Sequence, residues 1–198
     1  PPTEELPDRT APLPVAPFAE VNREIHSHQS HTVMGVPVPG IHSPERHALG
    51  LLTNILGGPG MNSRLNVALR ERRGLVYTVD ANMTLFQDCG YMGIYFGCDP
   101  ADTSRCIHLV NGELRRLTES PLSPRALAAA KRQYLGQLLV AADNTENSAL
   151  QAARTALYFS RLSDPAATAA AIDRLTPEDL HRAARHLTPT LFSRLTLT

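Results

Sequence analysis

The chain has 198 residues, of which 42% are apolar, which suits one well-buried domain rather than two. Nineteen basic and nineteen acidic residues cancel, so the composition favours neither nucleic acid nor an anionic membrane surface as a partner. No apolar run approaches the length of a membrane span. Three cysteines without C-x-x-C spacing predict small buried or half-buried thiols rather than a disulfide scaffold.

The chain begins at Pro1, without a methionine or a signal-like segment, so we expect a piece of a longer protein. Residues 1–17 carry six of the sixteen prolines, which predicts an extended linker over 1–19 and a single domain over 20–198. The compartment stays open, since reduced cysteines favour the cytoplasm and the periplasm also fits.

Residues from Glu20 to about Val38 are strand-like, and "PVPG" suggests one bent strand or a pair. Ser43-Pro44 predicts the start of a helix that "GGPG" at 57–60 ends. A second helix is predicted from about Asn62 to Arg72, with Gly74 in the C-terminal cap position.

A hairpin is predicted next. Leu75 to Leu85 alternates with period two, which puts Tyr77 on the apolar side of its strand with Val79. "QDCG" turns the chain into a second strand with an apolar face, Met92 to Cys98. On the other face tyrosine alternates with glycine, which permits close approach to that backbone.

The remainder is mostly helical. Cap-then-proline pairs begin at four positions, Asp99, Ser123, Asp164 and Thr176. Residues from Leu191 to Leu197 alternate as a closing strand. Grouped strands and grouped helices predict an α+β two-layer sandwich whose mostly antiparallel or mixed sheet is covered on one face by helices.

Two groups of histidines invite a zinc site. His42 and His47 are five residues apart, about 140° around a helix, and His42 precedes the predicted helix start, so the H-x-x-E-H motif is absent. In "HSHQSH" a strand would put His26 and His28 on one face and His31 on the other. Solvent-facing imidazoles are the simpler interpretation of both, and a histidine-rich metal module remains an alternative that metal analysis would decide.

The stretch "LGGPGMNSRLNVALRERRGLVYTVDA", residues 56–81, resembles the C-terminal-half signature of the M16 zinc-peptidase family, which includes pitrilysin, insulinase and mitochondrial processing peptidase. Weaker similarities extend over most of 20–198, including "YMGIYFGCDP", the Ala130-Lys131 pair in a long helix, and "LTPEDLHRAARHLTP". The resemblance implies the LuxS/MPP-like metallohydrolase fold.

The resemblance further implies two homologous halves that face each other. One half holds zinc, and the other lacks the ligands but supplies an arginine and a tyrosine, seven residues apart, that reach the bound peptide. Arg70 and Tyr77 match that pair. This chain is then the zinc-free half, with no metal or cofactor of its own and zinc expected in the complementary half.

These residue types suit the implied chemistry, because peptide hydrolysis builds negative charge on the carbonyl oxygen that a guanidinium and a phenol can stabilise. The simpler alternative makes Arg70 one of several solvated arginines and Tyr77 a core tyrosine. Arg64 is predicted to be structural, in an ion pair. The Gly57–Gly60 turn is short for a substrate-contacting loop.

The resemblance therefore implies part of an M16-like zinc metalloendopeptidase that is inactive as an isolated chain. Its partners would be a peptide or unfolded protein substrate and a zinc-binding half, in the same full-length chain or in a partner subunit. A non-catalytic structural or assembly subunit of the same fold is the alternative. The surface that would meet the other half would be exposed, so we also expect self-association.

Overall fold

A computed structural model describes residues 18–25, 27–162 and 164–198. Residues 1–17 of the linker predicted over 1–19 lie outside the described residues. The strands are β1 Glu20–Arg23, β2 Ser30–Pro39, β3 Val76–Leu85, β4 Cys89–Cys98 and β5 Ser193–Leu197. The α-helices are α1 Arg46–Gly57, α2 Thr103–Glu119, α3 Pro124–Ala142, α4 Thr145–Phe159, α5 Pro165–Asp173 and α6 Pro177–Ala184.

The five strands form one mixed sheet in the order β1-β5-β2-β4-β3. Only β1 and β5 pair in parallel, and the other neighbours are antiparallel. This architecture confirms the predicted α+β fold with a mixed sheet and places β3 at one edge of it.

The core lies between one face of the sheet and the helices. Alternate residues of β2 and β4 point into it, and α1 packs against β3 and α6. Its largest fully buried side chains include Phe96, Phe192, Leu49, Leu51, Leu52, Leu56, Leu65, Leu69, Met92 and Ile94. The opposite face of the sheet carries exposed Val33, Tyr91 and Leu195, as expected for a sheet covered on one side.

The N-terminal strand region is a pair of strands, but β1 ends at Arg23 and β2 begins at Ser30, so the pair is not divided at "PVPG". The reason is topological. β1 and β2 lie on opposite sides of β5 and run in opposite directions, so the chain must pass the end of β5 between them. Pro39 and Gly40 instead lie at the end of β2, beside Cys89 of the neighbouring strand.

The helix caps are correctly predicted at three positions. The side chains of Ser123, Asp164 and Thr176 each accept a hydrogen bond from a backbone amide in the first helical turn. Ser43 and Asp99 are the exceptions. The Asp99 side chain makes no cap hydrogen bond, and the Ser43 hydroxyl accepts from the amide of Glu45 and closes a local turn. Helix α1 therefore begins at Arg46 rather than next to Ser43.

All three cysteines are free thiols. Cys98 and Cys106 are buried as predicted, whereas Cys89 is exposed because it lies at the start of β4 beside the hairpin turn. Burial raises the pKa of the Cys106 thiol to about 12. Over the residues described, no helix is both long and apolar enough to cross a membrane.

Candidate functional site

Arg70 lies on a π-helical segment, Asn66–Glu71, which replaces most of the regular helix predicted for 62–72. Such segments are rare and frequently occur at functional sites. Gly74 ends this region with φ 61°, as the sequence predicts, and its amide donates to the Arg70 carbonyl over 2.7 Å. Leu69 and Ala68 face the core, which leaves the Arg70 side chain exposed.

Tyr77 lies at an irregularity in β3. Val76 pairs with Cys98 and Thr78 pairs with Gly97, so Tyr77 is an extra residue in β3 between two successive residues of β4. Leu75 and Val76 are both buried, whereas the Tyr77 side chain is 54% exposed. The prediction that Tyr77 shares the apolar face with Val79 is wrong. The extra residue of the bulge shifts the alternation of inward and outward side chains by one position, so Tyr77 points outward.

The Tyr77 hydroxyl donates a hydrogen bond to the Oδ1 atom of Asp99 over 2.8 Å. This bond and the charge of the carboxylate raise the pKa of Tyr77. The sequence pattern assigns Asp99 to capping the following helix, yet its side chain makes no cap hydrogen bond. Sequence reasoning therefore missed Asp99 as a partner of the candidate site.

A cavity of about 380 Å³ opens beside Arg70 at the edge of the sheet. The last residue of α1 and the turn after it, residues 57–59, form one wall, and the β3 residues 78–81 form another. A Cβ on Gly57 would lie 2.6 Å from the Ala81 backbone nitrogen, so only glycine permits this approach of the turn to the strand. The short glycine turn thus helps to build the cavity that Arg70 lines.

The two candidate residues occupy neighbouring positions in this region. Arg70 lines the cavity with Thr78 and Asp80, whereas Tyr77 precedes Thr78 and turns its hydroxyl toward Asp99. In the part of the chain described by the structure, no hydrogen bond joins Arg70 to Tyr77, and no carboxylate lies within 4 Å of the Arg70 guanidinium. Both side chains are exposed.

Arg64 does not form the predicted ion pair with any of the described residues. The nearby Glu113 carboxylate accepts instead from the Arg116 guanidinium, on the same helix. Arg64 is half-buried, and loss of hydration is the main cause that lowers its pKa.

The histidines are dispersed through the fold. His31 Nδ1 lies 2.9 Å from the Tyr95 hydroxyl, and the ring of His42 packs edge-on against Phe159. His47 is half-buried, and burial lowers its pKa. His28 lies in the connection before β2 rather than on a strand, and His26 lies outside the described residues. Within the described ranges, no three histidine, cysteine, aspartate or glutamate side chains are placed to hold a metal ion.

The fold and these features define a two-layer domain with an exposed arginine and tyrosine at one edge of its sheet. The family model described as the peptidase M16 inactive domain matches residues 2–134. The chain therefore belongs to the M16 peptidase family, as its inactive domain.

The relatives agree with this membership. An uncharacterized zinc protease of Streptomyces coelicolor is 31% identical over 79% of this chain and 34% of its own length. The chain thus spans about a third of the length of that relative. The crystal structure of a peptidase M16 inactive domain from Pseudomonas fluorescens superposes with a TM-score of 0.81, at 24% identity, over 93% of this chain and 44% of that chain.

A chain in complex III2 from Candida albicans has the same fold, with a TM-score of 0.77 and 17% identity over 91% of this chain and 45% of that chain.

Proposed function

We propose that this chain is the zinc-free half of an M16-like metalloendopeptidase. In this proposal Arg70 and Tyr77 position a peptide substrate and stabilise the oxyanion opposite a zinc site in a complementary half, in the same chain or in a partner subunit. The observation that carries the proposal is the bulge in β3, which exposes a tyrosine that simple alternation would bury.

The surroundings of Arg70 support a positioning role. A guanidinium is always charged and presents planar donors. Since no carboxylate of the described residues pairs with Arg70, its guanidinium can donate to an anionic or carbonyl group of a ligand. The cavity beside it is lined by the edge strand and the glycine turn, which suits a narrow, extended ligand such as a polypeptide. The half that carries zinc would supply the metal-activated water, and Arg70 would hold the peptide against it.

The contact between Tyr77 and Asp99 gives the proposed role a specific requirement. A phenol has one hydrogen to donate, and here Asp99 accepts it. To stabilise an oxyanion, Tyr77 must transfer that hydrogen bond from Asp99 to the substrate. Asp99 would then keep the hydroxyl oriented before substrate arrives, as a positioning residue.

The central test is peptide hydrolysis by this chain together with its zinc-binding half. We expect Arg70→Ala to lower kcat/KM by about 10²–10³-fold, because one preorganised oxyanion donor contributes about that much. Tyr77→Phe removes only the hydroxyl, and we expect a loss of about tenfold or more. The zinc content of the assembly is measured in parallel and is expected to stay unchanged.

Matched controls separate a local role from a general loss of surface charge or of a surface hydroxyl. Arg72→Ala removes an exposed arginine just beyond the π-helical segment, and Tyr91→Phe removes an exposed hydroxyl on the open sheet face. Both are expected to leave kcat/KM within about twofold. Equal losses in the controls would contradict the assignment, as would robust zinc-dependent, chelator-sensitive turnover by this chain alone.

A non-catalytic assembly subunit is the second candidate. Two observations favour it: the Tyr77 hydroxyl already donates its hydrogen to Asp99, and a chain of complex III2 from Candida albicans has the same fold. In that case the Arg70 and Tyr77 variants would assemble normally and the complete protein would hydrolyse no peptide, with or without the substitutions.

A further inference from the structure

A second concave region lies on the other side of the π-helical segment. Val67 and Ala68 line a cavity of about 580 Å³ that the end of α2 and the loop at 120–123 complete. Asn66 and Arg70 of the same segment line the first cavity. The segment therefore separates the two cavities.

The charges in this second cavity are unbalanced. Three arginines, Arg64, Arg72 and Arg116, face two glutamates, Glu113 and Glu119. Arg116 and Glu113 bond to each other, which leaves two guanidinium groups against the exposed Glu119. Among the described residues, neither Arg64 nor Arg72 has a carboxylate within 4 Å.

Arg64 is the most buried of the three arginines, since Arg72 and Arg116 are exposed. It is half-buried, and desolvation is the first cause that lowers its pKa, ahead of the opposing effects of Glu113 and Arg116. A guanidinium carries five donor hydrogens, and among the described residues no carboxylate pairs with Arg64. A bound carboxylate could accept two of these hydrogens in parallel hydrogen bonds.

Apolar side chains lie on one side of Arg64. An adjoining third cavity of about 280 Å³ shares Arg64 and Leu122 with the second and adds Ile55, Ala129 and Ala130, together with the polar residues Asn54, Ser63 and Gln133. Arg64 thus lies between a charged cavity and one of mixed lining that includes an apolar patch. The first turn of the 19-residue helix α3, at Ala126, also lines both cavities, and the positive end of a helix favours a nearby anion.

We propose that these joined second and third cavities bind a small carboxylate with an apolar group, such as an acylated apolar amino acid. The carboxylate binds between Arg64 and Arg72, and the apolar group packs against Leu122 and Ala130. This site is separate from the Arg70 cavity and does not depend on the proposed peptidase role.

The test is titration of the purified chain with N-acetyl-leucine, followed by the NMR signals of arginine Nε–Hε groups. The Arg64 signal is identified by its loss in Arg64→Lys. We expect a saturable shift of that signal in about the millimolar range, as suits a small ligand. N-acetyl-leucinamide lacks the negative charge and is expected to bind about tenfold or more weakly.

Two comparisons test the two parts of the site. Arg72→Gln changes an exposed side chain, so the variant should fold, and we expect it to bind N-acetyl-leucine about tenfold more weakly. Arg115→Gln, on the exposed side of α2, is the control and should leave binding unchanged. Inorganic phosphate carries charge without an apolar group and is expected to bind more weakly than N-acetyl-leucine. The absence of a saturable shift, equal binding of the amide or of phosphate, or an equal effect of Arg115→Gln would overturn the proposal.

Discussion

Tyr77 and Asp99 form a contact that can be followed by titration. Because the hydrogen bond favours the protonated phenol, the pKa of Tyr77 lies above its ordinary value, and Asp99→Ala should lower it toward about 10. Tyrosine ¹³Cζ shifts measured against pH report this residue individually. Asp88→Ala, an exposed acid at the hairpin turn, is the control and should leave the Tyr77 titration unchanged.

The hydrogen bond between Tyr77 and Asp99 also makes the stability of the fold depend on pH. The pKa of Tyr77 is higher in the folded chain than in the unfolded chain. The contact therefore stabilises the fold below about pH 10, where the phenol is protonated, and this stabilisation is lost as the pH rises through the folded-state pKa. The difference in urea midpoint between the wild-type chain and Tyr77→Phe should therefore shrink above about pH 10. A difference that grows with pH would show that Asp99 does not favour the protonated phenol.

At the level of single residues, the sequence identified Arg70 and Tyr77 as candidates through the family signature, and their roles remain predictions. It could not identify Asp99, because Asp-Pro before a helix has a simpler use as a cap. The pairing of Tyr77 with Asp99 depends on the bulge, which places the side chains together across 22 positions in the chain.

The contact between the end of α1 and β3 makes a prediction about element packing. Gly57→Ala would place a Cβ within 2.7 Å of the Ala81 backbone nitrogen and side chain, so we expect a loss of about 1–3 kcal/mol in the free energy of unfolding. Gly112→Ala is the matched control, since nothing lies within 4 Å and its helix interior favours alanine by about 0.5–1 kcal/mol. Urea denaturation measures both, and equal changes in the two variants would contradict the packing argument.

The elements themselves were largely predictable, because caps, glycine turns and alternation are local. Ser123 and Thr176 cap their helices as expected, and β3 and β4 form the predicted hairpin. The π-helical geometry and the bulge were not predictable, since each adds one residue without changing the composition of its element. Both irregularities lie in the region that carries the candidate pair.

At the scale of the molecule, helices α3 and α4 present an apolar surface to solvent, and we expect self-association through it. Leu139, Val140 and Leu157 are exposed there, and within the described part of the chain α4 has no buried residue. Sedimentation velocity of the chain should show a sedimentation coefficient that rises with concentration. A Leu139→Ser/Leu157→Ser variant should weaken that association several-fold.

Val33→Ser on the open face of the sheet provides the control for this surface, since Val33 is also exposed but lies on the sheet rather than on α3 or α4. The helical surface would be excluded if only Val33→Ser reduced association. The fold class was predictable from grouped strands and helices. The position of this surface was not predictable, because an apolar stripe on a helix predicts that the stripe is buried but does not identify the element that covers it.

The irregular geometry around Arg70 and Tyr77 makes the candidate surface sensitive to chain length. Removing one residue from the π-helical segment would rotate the later residues of that segment by about 100°, and removing one from the bulge would return Tyr77 to the opposite face of β3. A single-codon deletion between Asn66 and Thr78 could therefore redirect one of the two side chains while every core residue outside that interval is retained. The number of residues in this short interval therefore matters to the candidate surface as much as the identity of Arg70 and Tyr77, because it sets the direction of both side chains.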